Sequence, residues 1–405
     1  MSYLVIGGDL FSMLQAKFKN GQLFTLIGLP KHRIEQLRKK HFYCPTCNEK
    51  VIIRAGPQTI PHFFHYQKSE CPSVEGGEGA YHEKGKLLLY HWLKKQHTNV
   101  FLEKHLPQIN QRPDLLLLTK NKKIAIEYQC VRIPIKLLLK RNKGYQQLGI
   151  KPIWILGANQ MKRMGQNSLK LDPFTLRFIH QFQPQYSTFL YYFCPDTNQF
   201  LIASDLYVTS QRRAAAKLRF LKLDKIYFND LFYNHQFEPK ELIRFWRSAK
   251  QQFRYKRRKK PRGRELAWYQ WLYLKQVPIE YLPSEIYLPV SNQFLMKTSL
   301  WDWQSRICLD IIEPLDLGDV FTLDECFYLL QNHTHRKENF PLLNAFIHPI
   351  QQYLITLVQL QIIQQVSPTH YKKISPLHFF KNIEEAMKED VQLMIKLNSK
   401  ILNKI

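Results

Sequence analysis

Apolar and polar positions follow a helix or strand period over most of residues 80–160. The pattern predicts an amphipathic helix, whose apolar positions include Leu87, Leu88, Tyr90 and Leu93. Two apolar stretches separated by a short polar turn then predict neighbouring antiparallel strands. The predicted elements are a helix (81–96), an extended run (99–106), two strands (114–119 and 123–130), a helix (135–148) and a strand (151–156). This order is typical of an α/β sandwich.

The flanking regions have different patterns. Residues 31–40 predict a basic helix, and residues 41–71 form a Cys/His-rich module that is too small to hold a core unaided. After about residue 166, short aromatic-rich strands (186–207) give way to helical segments. Near residues 320–375 the order is helix, helix, hairpin, as in a winged helix, although plain helical packing gives similar patterns. We therefore predict three regions: 1–75, 76–165 and a mainly helical 166–405.

The composition is strongly basic. The 405 residues include 59 Lys and Arg against 32 Asp and Glu, for a formal charge of +27. A basic surface binds nucleic acid by releasing condensed counterions, without any sequence recognition. We therefore favour DNA as the partner, with anionic lipid as the rival. Ribosome-associated proteins share this composition, and charge alone says nothing about catalysis.

Neither a secretion signal nor a membrane span is expected. Residues 1–28 lack the charged-then-apolar layout of a signal, and no stretch reaches the roughly 18 uninterrupted apolar residues of a membrane helix. Seven scattered cysteines argue against a secreted disulfide framework. The expected location is the cytoplasm.

The candidate chemistry lies at Asp114 and in the stretch Glu127, Tyr128 and Gln129. Side chains alternate along a strand, so Glu127 and Gln129 share one face, and a tight turn pairs their strand with the strand that Asp114 opens. The two carboxylates can then converge on Mg²⁺ or Mn²⁺, with the Tyr128 carbonyl as a further oxygen ligand. Glu83 on the preceding helix is a third carboxylate, for a second ion or for orienting water. The plainer alternative is an Asp that caps a turn and a Glu that faces solvent.

The Cys/His module is a candidate zinc site. Cys44 and Cys47 have the spacing that lets two thiolates bind one tetrahedral Zn²⁺. We prefer His62 as the third ligand, with His65 and Cys71 competing for the fourth position. A structural Zn²⁺ contributes about 10 to 16 kcal/mol of folding free energy in peptides, which would make up for the small core. The alternative is a hairpin without metal, whose thiols are reduced and inert.

A second candidate surface combines basic and aromatic residues. Residues 241–264 hold eleven Lys or Arg and one Glu, and aromatic residues follow up to residue 273. Single-stranded DNA is held by positive grooves with rings on which bases stack. The predicted DNA contacts here are Arg254, Lys256, Arg257, Arg258, Lys259 and Lys260. The alternative is that Trp268, Trp271 and Leu272 form the buried face of a helix, with the basic residues merely exposed.

An ordered set of motifs resembles the competence protein CoiA family. The motifs are Cys44-Pro45-Thr46-Cys47, Pro61-His62-Phe63-Phe64-His65, His82-Glu83-x-x-Lys86, Arg112-Pro113-Asp114, Glu127-Tyr128-Gln129 and residues 145–157. The resemblance covers roughly residues 20–160. The C-terminal half is similar only in length and in its basic, aromatic character.

The resemblance implies a restriction-endonuclease-like α/β/α sandwich of the PD-(D/E)xK nuclease superfamily for residues 76–165. It implies acidic positions at Glu83, Asp114 and Glu127, and it places Gln129 where that superfamily most often has Lys. A neutral amide can only hydrogen-bond to developing charge, so this departure favours the alternative of a degenerate core that only binds DNA. Lys86 is a candidate to supply, from another position in the fold, the positive charge that the superfamily's Lys would supply.

The helix predicted at 135–148 carries further basic candidates. Lys136 is a second candidate to supply this positive charge, and Lys136 and Arg141 are predicted DNA contacts.

The resemblance also implies a role in natural transformation, when incoming DNA is recombined into the chromosome. The leading hypothesis is a metal-dependent nuclease acting on single-stranded or branched DNA, with recombination and DNA-uptake proteins as partners. The alternatives are a non-catalytic DNA-binding or recruiting factor, and a structural zinc adaptor.

Overall fold

The computed structural model describes residues 12–26, 29–56, 59–65, 71, 79–183, 186–210, 213–255, 260–344 and 346–402. The chain divides into two compact units. The first comprises Met1–Lys162, Leu190–Ala203 and Leu218–Tyr233, and the second comprises Arg163–Phe189, Ser204–Lys217 and Asn234–Ile405. Within the described ranges, no helix has the length and apolar character needed to cross a bilayer.

The first unit begins with an antiparallel six-stranded sheet and one helix. The elements are β1 (Ser12–Met13), β2 (Gln15–Lys17), β3 (Leu23–Thr25), α1 (Lys31–Leu37), β4 (Phe42–Tyr43), β5 (Lys50–Gly56) and β6 (Thr59–His65). The strand order is β1-β6-β5-β4-β2-β3. Phe42 and Phe63 pack against each other in a core that α1 closes with Ile34 and Leu37. The Cys/His module therefore shares its core with residues 12–25, which supply three of the strands.

The predicted order of helix, three strands, helix and strand is confirmed in the centre of the first unit. The elements are α2 (Ala80–Lys94), β7 (Val100–Leu102), β8 (Leu115–Leu118), β9 (Lys123–Gln129), α3 (Ile135–Gln147) and β10 (Ile150–Gly157). Strands β7, β8 and β9 form an antiparallel meander, and β10 pairs with β9 in parallel. A parallel neighbour needs a crossover connection, which α3 provides.

Side chains alternate along β9, so successive residues contact the helices on opposite faces of the sheet. Tyr128 faces α2, where it lies so close to Gly85 that a Cβ atom there would come within 2.1 Å of the ring. Ala125, on the opposite face, shares a buried cluster with Tyr145 of α3. The mixed α/β class predicted for this region is confirmed, with helices against both faces.

Strands from residue 189 onward extend this sheet within the first unit. The next elements are β11 (Arg163–Gly165), β12 (Ser168–Lys170), β13 (Phe189–Cys194), β14 (Gln199–Ser210) and β15 (Arg213–Lys222). In the first unit the order is β15-β14-β13-β10-β9-β8-β7, and β13 pairs with β10 in parallel. The prediction of short strands over 186–207 is wrong for β14, which runs for 12 residues.

The second unit contains the rest of β14 and β15, the short strands β11 and β12, and most of the helices. Its first helices are α4 (Pro239–Tyr255), α5 (Arg264–Leu274) and α6 (Leu300–Arg306), which continues as a π-helix (Ile307–Ile312). Large aromatic side chains fill its core, including Trp246, Trp268, Trp303 and Tyr353.

A winged-helix order of elements follows in the second unit. The elements are β16 (Val320–Thr322), α7 (Leu323–Leu329), α8 (Pro349–Gln359), β17 (Ile363–Gln365) and β18 (His370–Lys373), before the C-terminal α9 (Ile383–Leu402). The antiparallel sheet has the order β16-β18-β17. Helix α8 contains no Lys or Arg, and all its residues are buried or half-buried. It therefore lacks the exposed basic face of a helix that reads a DNA groove.

Candidate functional site

A cavity of about 210 Å³ lies in the first unit where β8 and β9 meet the start of α2 and α3. Residues of four elements or their ends contribute to its wall. The polar lining includes His82, Asp114, Glu127, Gln129 and Arg141. The structure therefore brings Asp114, Glu127, Tyr128 and Gln129 together, as the strand pairing predicted.

Asp114 is the residue immediately before β8. Its Oδ2 accepts a hydrogen bond from the backbone N–H of Tyr128 at 2.8 Å, and its backbone carbonyl accepts from the N–H of Glu103. His82 Nε2 lies 3.5 Å from the same Oδ2, while the His82 ring stacks on that of Tyr128. The carboxylate is thus fixed by its neighbours on β9 and α2.

Glu127 projects from β9 toward α3. Its Oε1 accepts hydrogen bonds from Arg141 Nη2, at 2.6 Å, and from the Tyr145 hydroxyl. Burial raises the pKa of Glu127 to about 7; the Asp114 charge adds to this effect, and Arg141 and Tyr145 oppose it. Two buried carboxylates therefore repel each other here, and bringing a cation between them would relieve that repulsion.

Gln129 and Arg141 are two polar side chains that line the cavity together with Glu127. The Gln129 side chain lines the cavity and donates to the Val131 carbonyl at 2.9 Å. Arg141 is the cationic side chain in the described cavity wall. Lys136, by contrast, is exposed in the first turn of α3 and does not line the cavity.

Glu83 and Lys86 do not line the cavity, contrary to the prediction that they act beside Asp114. Both are buried, and Lys86 donates to Glu83 Oε1 at 3.0 Å and to Glu103 Oε1. Adjacent helix residues point in directions about 100° apart, and it is His82, not Glu83, that lines the cavity beside Asp114. Sequence reasoning missed Glu103, because an isolated Glu in an extended segment carries no periodic signal.

A second cluster gathers in the N-terminal sheet. Ligand atoms of Cys44, Cys47, His65 and Cys71 all lie within 4.8 Å of one another. Cys44 Sγ is 3.8 Å from Cys71 Sγ, and Cys47 Sγ is 3.9 Å from His65 Nε2. Zn–S bonds of about 2.3 Å in a tetrahedron place two sulfurs about 3.8 Å apart. The spacing of the donor atoms therefore fits Zn²⁺.

His62 lies outside this cluster, and the preference for it as third ligand does not agree with the geometry. His62 and His65 are separated by three residues on β6, so their side chains point to opposite faces. His62 Nδ1 lies 2.8 Å from the Ile60 carbonyl. His65 Nδ1 instead lies 3.3 Å from Glu49 Oε2, an arrangement that orients the other ring nitrogen toward a metal.

The predicted DNA contacts around residue 254 differ in their exposure to solvent. Arg254 is only 4% exposed and pairs with Asp390, so it does not belong to an exposed surface. Lys256, Arg257, Arg258 and Lys259 lie outside the described residues, and Lys260 is exposed. Trp268 and Leu272 are buried in the core and Trp271 is half-buried, as the alternative of a buried helix face predicted.

Comparisons with known proteins cover most of the chain. Three family profiles match in succession: "Competence protein CoiA, N-terminal domain" over residues 26–74, "nuclease-like domain" over residues 78–236 and "C-terminal domain" over residues 242–387. The competence protein CoiA of Bacillus subtilis (strain 168) is 31% identical over 293 residues, which are 71% of this chain and 76% of that protein. No solved structure matches the chain significantly.

Proposed function

Because this chain belongs to the competence protein CoiA family, we propose that it is a metal-dependent nuclease of natural transformation with its active site in the Asp114–Glu127 cavity. The observation that carries the proposal is the convergence of these two buried carboxylates in a nuclease-like domain. The PD-(D/E)xK superfamily is the class of nuclease that this domain implies. The proposed substrate of this chain is single-stranded or branched DNA, formed while incoming strands are recombined in the cytoplasm.

The donor set suits a hard divalent cation. Asp114 and Glu127 supply carboxylate oxygens, and the Tyr128 carbonyl is the proposed third protein ligand, the combination that Mg²⁺ and Mn²⁺ prefer. When bound, the ion supplies charge neutralisation at the phosphate and lowers the pKa of water. The chain's own part is to hold Asp114 through the Tyr128 N–H and to hold Glu127 through Arg141 and Tyr145.

Arg141 is the residue we propose to face the scissile phosphate in place of the usual Lys. It lines the cavity, whereas Lys86 is buried in its own ion pairs. A guanidinium can keep one N–H on Glu127 and present others to phosphate oxygens. His82, whose Nε2 lies 3.5 Å from Asp114 Oδ2, is proposed to hydrogen-bond to Asp114 or to a substrate oxygen.

The Cys/His cluster has a structural role in this proposal. Cys44, Cys47, His65 and Cys71 bind one Zn²⁺, and Glu49 orients His65. All four positions of a tetrahedral site are then filled by the protein, which is typical of structural rather than catalytic zinc. The ion would tie residue 71 to the N-terminal sheet.

One observation favours a second candidate, a non-catalytic DNA-binding factor that recruits recombination or DNA-uptake proteins. Gln129 is neutral, and Arg141 neutralises Glu127 rather than standing free for substrate. If no DNA is cut, DNA binding is measured as a function of salt concentration. For each tenfold increase in salt, the logarithm of the binding constant falls by about 0.7 to 0.9 per neutralised phosphate, so a steep fall identifies this function.

The test of the proposed function is DNA cleavage by the full chain in Mg²⁺ or Mn²⁺. Single-stranded, duplex and branched substrates are incubated with wild type, Asp114→Ala and Glu127→Ala. Asp196→Ala is the matched control, because Asp196 is an exposed carboxylate of the same unit. We expect cleavage by wild type and the control only. Cleavage that persists in both cavity variants overturns the assignment of the site.

A further inference from the structure

A cleft of about 420 Å³ opens in the second unit between the paired strands β12 and β15, helix α4 and helix α5. Aromatic side chains form part of its wall, beside polar side chains that include Glu265. Phe253 of α4 and Tyr269 of α5 are half-buried, and Phe253 stacks on the buried ring of Trp301 with 5.3 Å between centroids. The cleft therefore offers ring faces that are held in place by the core behind them.

Two cations stand together at the rim of this cleft. Lys170 of β12 and Arg213 of β15 are directly opposite each other in the antiparallel pairing, and both are exposed. Like charges in this position destabilise a strand pair. Neither side chain makes an ion pair with any described residue, although Arg213 Nε donates to Ser168 Oγ. The two positive charges therefore lie side by side at the surface, and no carboxylate of the described residues pairs with them.

The geometry points to a binding site for single-stranded DNA, with a base against Phe253 and Tyr269 and a phosphate on Lys170 and Arg213. Stacked rings beside cations are how proteins hold unpaired strands, whereas the base faces of a duplex are covered. The volume lies within the range of about 300 to 1,000 Å³ that is usual for ligand sites. The inference rests on the proposed function for its DNA partner, and it assigns strand binding to residues outside the cutting cavity.

A second hollow continues from this cleft. It is about 820 Å³ in volume and shares Phe253, Tyr269 and Ile279 with the first. Tyr273, 82% exposed, and Leu274, 79% exposed, line it. The exposed Tyr273 ring can stack a further base, so the proposed site extends to more than one nucleotide.

The test measures binding of a fluorescent oligo-dT to the full chain by anisotropy, in EDTA so that nothing is cut. The variants are Lys170→Glu with Arg213→Glu, and Tyr269→Leu, which keeps an apolar side chain. Lys381→Glu with Lys388→Glu is the control, because both lysines are exposed outside the two hollows and the change in net charge is the same. Thermal unfolding of each variant is recorded alongside.

We expect Tyr269→Leu to weaken binding about 5- to 150-fold and the double charge reversal to weaken it about tenfold or more at 0.1 M salt. The control should stay within about threefold of wild type. Cleft variants that bind like wild type, or a control that loses as much as they do, would overturn the inference. Because the assay needs no cleavage, a failed nuclease assay leaves its result unaffected, and cleavage without sensitivity to the cleft variants overturns only the cleft.

Discussion

Replacing Lys86 with Met separates a structural role from a catalytic role at this position. The Lys86 side chain is 0% exposed and donates to Glu83 and Glu103, which are buried as well. Met has a similar length without the charge, so Lys86→Met removes the cation that lies between two buried carboxylates, while Arg112 Nη1 remains 3.8 Å from Glu103 Oε2. Glu103 also accepts from the backbone N–H groups of Leu14 and Gln15, so the loss reaches the N-terminal sheet.

Removing one partner of a buried ion pair costs about 3 to 5 kcal/mol, a large share of a typical stability of about 5 to 15 kcal/mol. For a unit of this size that corresponds to a lower Tm by about 6 to 20 °C. The assay is thermal unfolding followed by circular dichroism. Lys84→Met is the matched control two residues away, because Lys84 pairs with Asp196 on the surface and such pairs contribute only about 0 to 1 kcal/mol.

Adding Glu103→Gln to Lys86→Met should recover part of the loss, because the amide is neutral and keeps an oxygen for the Leu14 and Gln15 N–H groups. The cleavage rate of Lys86→Met, measured well below its Tm, should stay close to that of wild type. A Lys86→Met protein that melts like wild type but no longer cuts DNA would refute this reasoning and return Lys86 to the active site.

Three further predictions follow from local geometry. Gly85→Ala should destabilise the protein by about 1 to 3 kcal/mol in denaturant unfolding, because the new Cβ would meet the Tyr128 ring at 2.1 Å. His65→Ala should lower the zinc content per chain measured by mass spectrometry, while His62→Ala should leave it unchanged, because only His65 lies in the cluster. Cleavage should require more Mg²⁺ as the pH falls below about 7, since the raised pKa of Glu127 keeps this carboxyl protonated there and a proton competes with the ion; the half-saturating Mg²⁺ concentration should rise about tenfold per pH unit well below that value.

A specific experimental outcome would contradict each of these predictions. Gly165→Ala is the control for Gly85→Ala, because its new Cβ would meet nothing closer than 3.8 Å, and equal stabilities of the two variants would argue against the close packing at Tyr128. Zinc lost from His62→Ala but kept in His65→Ala would reverse the ligand assignment. A Mg²⁺ requirement that stays constant from pH 5.5 to 8 would show that Glu127 does not titrate in this range or does not bind the ion.

The central elements could be predicted because their signals are local. The bounds of α3 and β10 differ from the predicted 135–148 and 151–156 by one residue at each altered end. A short turn between two apolar stretches forces an antiparallel pair, so the meeting of Asp114 with the Glu127 strand followed from chain geometry alone. The parallel pairing of β13 with β10 has no such local signal, since the two strands are joined through more than 30 residues of irregular pattern.

The rotation of α2 about its own axis was not predictable. Which side chain meets Asp114 depends on the face of α2 that packs on β9, and Gly85, which lies against Tyr128, is on the same face as His82. Composition alone does not carry this information.

The choice between His62 and His65 failed for a different reason. Strand parity shows that the two lie on opposite faces, but not which face carries Cys44 and Cys47.

Arg254 shows where a signal was present and was outweighed by residue type. It follows the buried Trp246 and Lys250 at intervals of four on α4, and residues spaced this way share a helix face. The periodicity thus placed Arg254 on the buried face, whereas its charge and the basic run that follows suggested solvent. Asp390 of α9 supplies the buried counter-charge. It is distant in the sequence, so the residues around position 254 give no sign of this ion pair.

The most direct test of the central claim is the single-turnover cleavage rate of Asp114→Asn in saturating Mn²⁺. An Asn oxygen can still accept the Tyr128 N–H, so the fold of the cavity is retained while the charge is removed. We predict a rate lower than that of wild type by about 100-fold or more, comparable to the loss of one preorganised charge-stabilising group, with unfolding unchanged. A folded Asp114→Asn protein that cuts within about threefold of the wild-type rate would show that this cavity is not where DNA is cleaved.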